Sequence, residues 1–278
     1  MLATRRIKDA RIYFDKALNI EPEDLEVIKD LGNSYQSSGD LNRAKDYYQK
    51  AIIINKNYAP ALTNLGNLEL LGGNTKEALA LLSKATQSDP GLAPAWGNLA
   101  NGYVQTGKSK QAEAACRKAI SLNPNIFNSH FLLGSILFDQ NKLKEAKSSL
   151  LKTIELNPNF FQAYLKLAII LQDLKEIKEA EVYIRKSIEI QPNHAISHLC
   201  LGSILRELRQ LKDAEIATRK AIEINPNLSN AYYLLASILI QQNKLKEAEE
   251  PLRNTIKLKP ELYLAHSTLG GILKDLGR

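Results

Sequence analysis

Seven prolines (Pro22, Pro90, Pro124, Pro158, Pro192, Pro226 and Pro260) share one grid with a spacing of 34 residues, and the one grid point they skip is Lys56. A residue type returning at a fixed interval of that size marks stacked copies of one small supersecondary unit. Numbering positions so that position 1 lies three residues after each grid proline places copies at Leu25, Ala59, Ala93, Phe127, Phe161, Ala195, Ser229 and Tyr263. Position 20 is then alanine throughout, from Ala10 to Ala248. Position 7 is leucine throughout, from Leu31 to Leu269, and position 8 is Gly or Ala, from Gly32 to Gly270. Small residues at fixed places let helices approach closely, and leucine fills the space beside them.

The pattern inside one copy is helical. Positions 3, 4, 7, 8, 10, 11 and 14 form an apolar or small stripe, as in Ala163, Tyr164, Leu167, Ala168, Ile170, Leu171 and Leu174. Position 15 carries Gly39, Gly73, Gly107, Asn141, Asn243 and Gly277, residues suited to a left-handed helix end; Lys175 and Arg209 at that position carry a conformational cost. A second helix then runs to about position 29, where Asn-Pro-Asn (Asn157, Pro158, Asn159) ends it and caps the next. Pro251, inside the second helix of its copy, predicts a kink or late start there.

The bulky residues at position 4 (Trp96, Tyr164, Tyr232), Leu-Gly at 7 and 8, Ala at 20 and 27 and Pro at 32 resemble the tetratricopeptide repeat family along the whole chain. That resemblance implies an all-α fold, an α-solenoid of helix-turn-helix repeats forming a right-handed superhelix. First helices would line a concave groove that binds extended peptides or partner helices, with no intrinsic catalysis. The array resembles long bacterial scaffold arrays and the repeat region of O-linked N-acetylglucosamine transferases. The expected organisation of residues 1–278 is one array: a partial repeat at 1–24, seven full repeats at 25–262 and the first helix of an eighth at 263–278. The last helix should leave Leu269, Ile272, Leu273 and Leu276 uncovered, which suggests either a piece of a longer protein or ends that self-associate.

Composition narrows the function classes. The chain has 278 residues, 44% of them hydrophobic, and lacks both an apolar run long enough for a membrane and a secretory leader, so a cytoplasmic, membrane-free protein is expected. Its net charge of +7 mildly favours acidic protein partners. The lysines at position 26, from Lys16 to Lys220, suggest nucleic acid, but Glu-Arg pairs one turn apart (Glu113 and Arg117, Glu181 and Arg185, Glu215 and Arg219, Glu249 and Arg253) read as a neutralised, solvated face.

Chemistry-bearing motifs dissolve into the repeat. Gly102 to Ser109 matches the G-x-x-x-x-G-K-[ST] phosphate loop, yet Gly107 is the turn glycine of position 15 and no strand precedes it. His130, His198 and His266 share position 4 in alternate copies, too far apart for one metal ion. Cys116 and Cys200 lie three copies apart and are expected to be free thiols. No cofactor and no metal are expected.

The candidate site is the concave groove. Lys29, Asn33 and Asn64 match part of the clamp by which tetratricopeptide receptors hold acidic tails, but Gly97 and Asn101 stand where its cations belong. Asn64 and Asn98 match the asparagine ladder of O-linked N-acetylglucosamine transferases, which the resemblance turns into a rival reading, a substrate-presenting repeat region of a larger glycosyltransferase. With Asn67 these asparagines make a polar half. Phe131, Phe138, Leu165, Ile169, Leu199, Tyr233 and Ile240 make an apolar half, either open for binding or buried by the curvature of the array.

Overall fold

The computed structural model describes residues 2–277, with side chains from residue 9. Met1 and Arg278, the outermost residues of the expected array, lie outside the described residues. Every element described is an α-helix, and the helices divide into two compact units, residues 1–136 and 137–278. The first unit holds α1 (Leu2–Ile20), α2 (Leu25–Ser37), α3 (Leu41–Ile54), α4 (Ala59–Leu71), α5 (Thr75–Ser88), α6 (Ala93–Gln105) and α7 (Ser109–Leu122). Helix α8 (Phe127–Asp139) carries the boundary. The second unit continues with α9 (Leu143–Leu156), α10 (Phe161–Asp173), α11 (Ile177–Ile190), α12 (Ala195–Glu207), α13 (Leu211–Ile224), α14 (Ser229–Gln241), α15 (Leu245–Leu258) and α16 (Tyr263–Asp275). From α2 onward, first helices fill positions 1–13 and second helices positions 17–30 of the 34-residue period. The fold is an all-α solenoid of helix-turn-helix repeats.

The invariant small residues do what the pattern implies. Ala44, Ala78, Ala146, Ala180, Ala214 and Ala248 are fully buried, so second helices press directly on first helices. At Gly66 an added Cβ would stand 2.6 Å from Leu82 Cγ, well inside contact distance. Neighbouring first helices also touch, α4 with α6 in the first unit, α10 with α12 and α12 with α14 in the second. Each unit therefore presents a face built from adjacent first helices.

Position 15 adopts the left-handed conformation in every copy described. Lys175 has φ 64° and Arg209 φ 61°, beside Asn141 at 60°, Asn243 at 61° and four glycines. A left-handed residue with a Cβ costs about 1–2 kcal/mol, and the hydrogen bonds of the helix end hold it there: Glu176 N–H donates to Leu171 O at 2.8 Å and Gln210 N–H to Leu205 O at 2.9 Å.

Three expectations are corrected. The asparagines around proline do not cap the following helix. The first asparagine of each motif caps the turn instead: Asn157 Oδ1 accepts from Asn159 N–H at 3.3 Å, and Asn225 Oδ1 from Asn227 N–H at 3.0 Å. The N-cap place itself holds Tyr58, Leu92, Phe160, Leu228 and Leu262, without a side-chain cap. Tyr58, Leu92 and Leu262 pack against core clusters, and that burial outweighs a capping hydrogen bond. Helix α15 does not start late: it runs from Leu245 to Leu258, the length of its siblings, with Pro251 buried inside it. On α16, Leu269 and Ile272 are buried against α14 and α15, and Leu273 packs beside them; the apolar residues left open are Tyr263 and Leu264.

The rings at position 4 serve the turns. His130, His198 and His266 place Nε2 2.9, 2.8 and 2.8 Å from the carbonyl oxygens of Pro124, Pro192 and Pro260, and Trp96 Nε1 donates to Pro90 O at 3.0 Å. A carbonyl only accepts, so each Nε2 carries the proton. Each histidine ties its helix to the proline turn before it.

Candidate functional site

The phosphate-loop reading fails on geometry. Gly102 is buried inside α6 with Leu79 packed on it, and Gly107 is the left-handed residue that closes the helix end at φ 70°. Both cysteines are free and buried, and burial pushes each thiol up to about 12. Three lysines of position 26 and the arginines one residue before them are ion-paired along their own helices: Lys152 with Glu155 at 2.6 Å, Lys186 with Glu189 and Lys220 with Glu223 at 2.8 Å, Arg185 with Glu181 at 2.8 Å and Arg219 with Glu215 at 2.9 Å.

A cavity of about 670 Å³ lies on this second-helix side, between α11 and α13 over α12, lined by Ile188, Leu201, Leu205, Ile216 and Ala217. Its charged rim residues Arg185 and Lys220 already have partners in Glu181 and Glu223.

The first-helix face of the first unit is organised by a residue that the sequence pattern assigns to the core. Tyr48, fully buried on α3, lies over Gly32, where any Cβ would overlap its ring. That gap carries its hydroxyl through to the opposite face. There it lies 2.8 Å from Asn33 Oδ1 and 2.8 Å from Gln36 Oε1, and its single proton serves one of them at a time. Asn64 Nδ2 donates to the same Asn33 oxygen at 2.8 Å, and Asn33 Nδ2 donates to Asp30 at 3.3 Å. Burial pushes the Tyr48 phenol up to about 12. The recognisable signal was an aromatic at position 24 opposite a glycine at position 8.

Lys29 is occupied too. Its Nζ lies 2.5 Å from Glu26 and 3.2 Å from Asp30. Burial works against its charge, but the two acidic partners outweigh it and hold the amine above its ordinary range. Behind this face Glu69 is buried on α4. Burial opposes its ionisation, while Lys45 at 2.6 Å and the Asn74 amide at 2.6 Å hold its carboxyl below the usual range.

Three asparagines on the face remain open. Asn67 on α4 and Asn98 on α6 are half-buried and Asn101 is exposed, and among the described residues none has a side-chain hydrogen bond. The structure thus joins Asn33 and Asn64 in one network and leaves the other three amides free to donate and accept.

In the second unit, the predicted apolar residues fall between the two alternatives. Phe138, Leu165, Ile169, Leu199, Tyr233 and Ile240 are all half-buried, as is Phe131 in the first unit. Tyr233 and Ile240 pack one side on the core of α14 to α16. Gln172 on α10 donates to Ser203 on α12 at 3.0 Å and also to Glu207. Lys166 stands 5.7 Å from the ring centre of Phe138. No described helix is long and apolar enough to cross a membrane.

Tetratricopeptide repeat models match residues 29–93, 93–126, 127–160, 161–194, 197–228 and 217–250. No curated protein matches the chain. Among solved structures it is similar to a chain of the APC/C hetero-tetramer Cut9–Hcn1, at 20% identity and TM-score 0.72 over 96% of this chain. It spans 52%, about half, of that chain. It is similar to YrrB, described as a TPR protein with an unusual peptide-binding site, at 27% identity and TM-score 0.59, covering 67% of this chain and 96% of YrrB. It is also similar to pilF of Pseudomonas aeruginosa, at 22% identity and TM-score 0.68, covering 77% and 96%. Helix-turn-helix copies every 34 residues, fully buried small residues at their contacts and family matches from residue 29 to 250 lead to one conclusion: the chain belongs to the tetratricopeptide repeat family.

Proposed function

We propose that the chain is an interaction scaffold that binds a peptide segment or partner helix on its first-helix faces and performs no catalysis of its own. The observation that carries this reading is the set of free amides at Asn67, Asn98 and Asn101 on adjacent helices α4 and α6. An amide side chain offers both a donor and an acceptor, which matches the backbone of a bound segment whatever its sequence. The half-buried apolar residues of the second unit supply a different mode, anchoring of side chains by burial. Similarity to YrrB supports the peptide part of the reading, and the charge of +7 supports a mild preference for acidic partners.

Immobilised chain, exposed to lysate and compared with two variants by quantitative mass spectrometry, tests this. Asn67→Ala/Asn98→Ala/Asn101→Ala should lose bound proteins while melting as the parent does. Ile216→Ser, on the second-helix side, should keep them. The reverse pattern would place binding on the second helices and end this reading.

A further inference from the structure

The joint between α11 and α12 is built unlike its siblings. Where α5 meets α6, positions 27, 34 and 3 hold Ala85, Leu92 and Ala95; where α13 meets α14, they hold Ala221, Leu228 and Ala231. Here the same positions hold Ser187, His194 and Ser197. Ser187 and Ser197 are fully buried with their hydroxyls 3.1 Å apart, and Ser187 also donates to the carbonyl of Phe161 at 3.2 Å. His194 Nδ1 lies 2.9 Å from Ser197 Oγ and accepts from the Ser197 backbone N–H at 3.3 Å, so the imidazole is the side-chain cap of α12. That N–H is shared with the His194 carbonyl at 3.1 Å. A backbone N–H only donates, so Nδ1 is bare and the neutral ring carries its proton on Nε2.

The surroundings favour this neutral ring. From α10 it meets Phe161, edge to face with ring centres 4.9 Å apart. From α11 the polar chain receives only the uncharged Ser187, and the charged neighbours Lys186 and Glu189 pair with each other at 2.8 Å. On α12 itself His198 stands one turn on, with Nε2 tied to Pro192 O at 2.8 Å. A cation at the start of a helix also meets the positive end of its dipole. Burial first, then His198, hold the His194 ring below its ordinary value of 6.5. Proton uptake at Nδ1 turns the acceptor into a donor. The new N–H bonds Ser197 Oγ, the Ser197 proton turns to Ser187 Oγ, and the Ser187 proton goes to Phe161 O. The hydroxyl chain stays filled, but the Ser197 backbone N–H now faces another N–H and the cap is lost.

We propose that His194 is a proton-operated latch on α12: neutral, it holds the first turn of the helix, and protonated, it lets that turn loosen. Helix α12 touches both α10 and α14, so the latch governs the middle of the first-helix face of the second unit. The inference stands apart from the scaffold reading and needs no partner. Its sign follows from the neutral preference. As pH falls through 6.5 the unfolded chain takes up the proton before the folded one, so the stability His194 contributes is complete above that value and is lost toward the lower folded one.

Hydrogen–deuterium exchange of the full chain at about pH 7.5 and 5.5, corrected for the intrinsic pH dependence of exchange, tests the latch. The start of α12 should exchange about threefold faster at the lower pH, toward the low end of what a lost cap does. His194→Asn keeps a cap acceptor that does not titrate, so the rise should vanish and the acid fall in denaturant midpoint should shrink. The parent alone supplies a reading that needs no variant to fold: long-range proton–nitrogen NMR should show Nδ1 of His194 bare at pH 7.5 and titrating below 6.5. Any of three results overturns the inference: a proton on Nδ1 at pH 7.5, a midpoint at or above 6.5, or an equal acid response in folded His194→Asn.

Discussion

The hydroxyl of Tyr48, a core residue of α3, lies 2.8 Å from the amide oxygen of Asn33 on the opposite face of the neighbouring helix, and Gly32 is the gap that lets it pass. Core packing and surface chemistry are therefore joined at one residue. The pairing has a pH signature. Burial disfavours the phenolate and pushes the folded phenol up to about 12, whereas an unfolded tyrosine keeps the ordinary value of 10.0. Above that value the unfolded chain releases the proton first. The stability Tyr48 contributes is thus complete below about pH 10 and is lost as pH rises toward the folded value. Tyr48→Phe should flatten this alkaline fall in denaturant midpoints and cost about 1 kcal/mol at neutral pH through the lost hydrogen bond. An unchanged alkaline slope would show that Tyr48 does not govern it.

Lys175 and Arg209 hold left-handed backbones that glycine fills in sibling turns. Replacing either with Gly should stabilise the chain by up to about 1 kcal/mol, since the relief of Cβ strain exceeds the entropy that glycine adds to the unfolded state. Thermal melts of the single and double variants check this, and a lower midpoint for both would contradict it.

Pro251 leaves the carbonyl of Glu247 without its helical donor, yet α15 runs through it. Ala115 and Ala217 occupy the same position in sibling second helices and are buried there. Pro251→Ala should therefore fit and raise stability by about 1–3 kcal/mol. Chemical denaturation measures the change.

Much of this was legible in the sequence because a repeat repeats its constraints. Proline spacing, invariant Ala248 and its siblings, and the glycines of position 15 gave the helix pairs, their turns and the buried small residues. The turn at Lys175 was legible as strain. What was not legible depends on reach and on competition. Position 24 reads as core from Leu82 and Leu150, and only a side chain as long as tyrosine opposite Gly32 passes through. Asn157 and Asn225 carry the composition of a helix cap, but the cap position goes to an apolar residue, which at Tyr58, Leu92 and Leu262 packs on a core cluster. The groove residues defeat a choice between open and buried because each first helix is wide enough to pack one edge of Tyr233 and expose the other.

That half-burial changes what truncation does. Tyr233 packs on the core of α14 to α16, so Tyr233→Ala should lower stability by about 2 kcal/mol as well as remove an anchor. Melting nearly equal to the parent would mean the ring contributes little to that core.

The most direct measurement of the central claim is hydrogen–deuterium exchange of the full chain with and without a peptide selected against it. Added protection should fall on the first helices, α4 and α6 or α10, α12 and α14, with the second helices unchanged. Protection concentrated on α11 and α13, around the cavity at Ile216, would contradict the account.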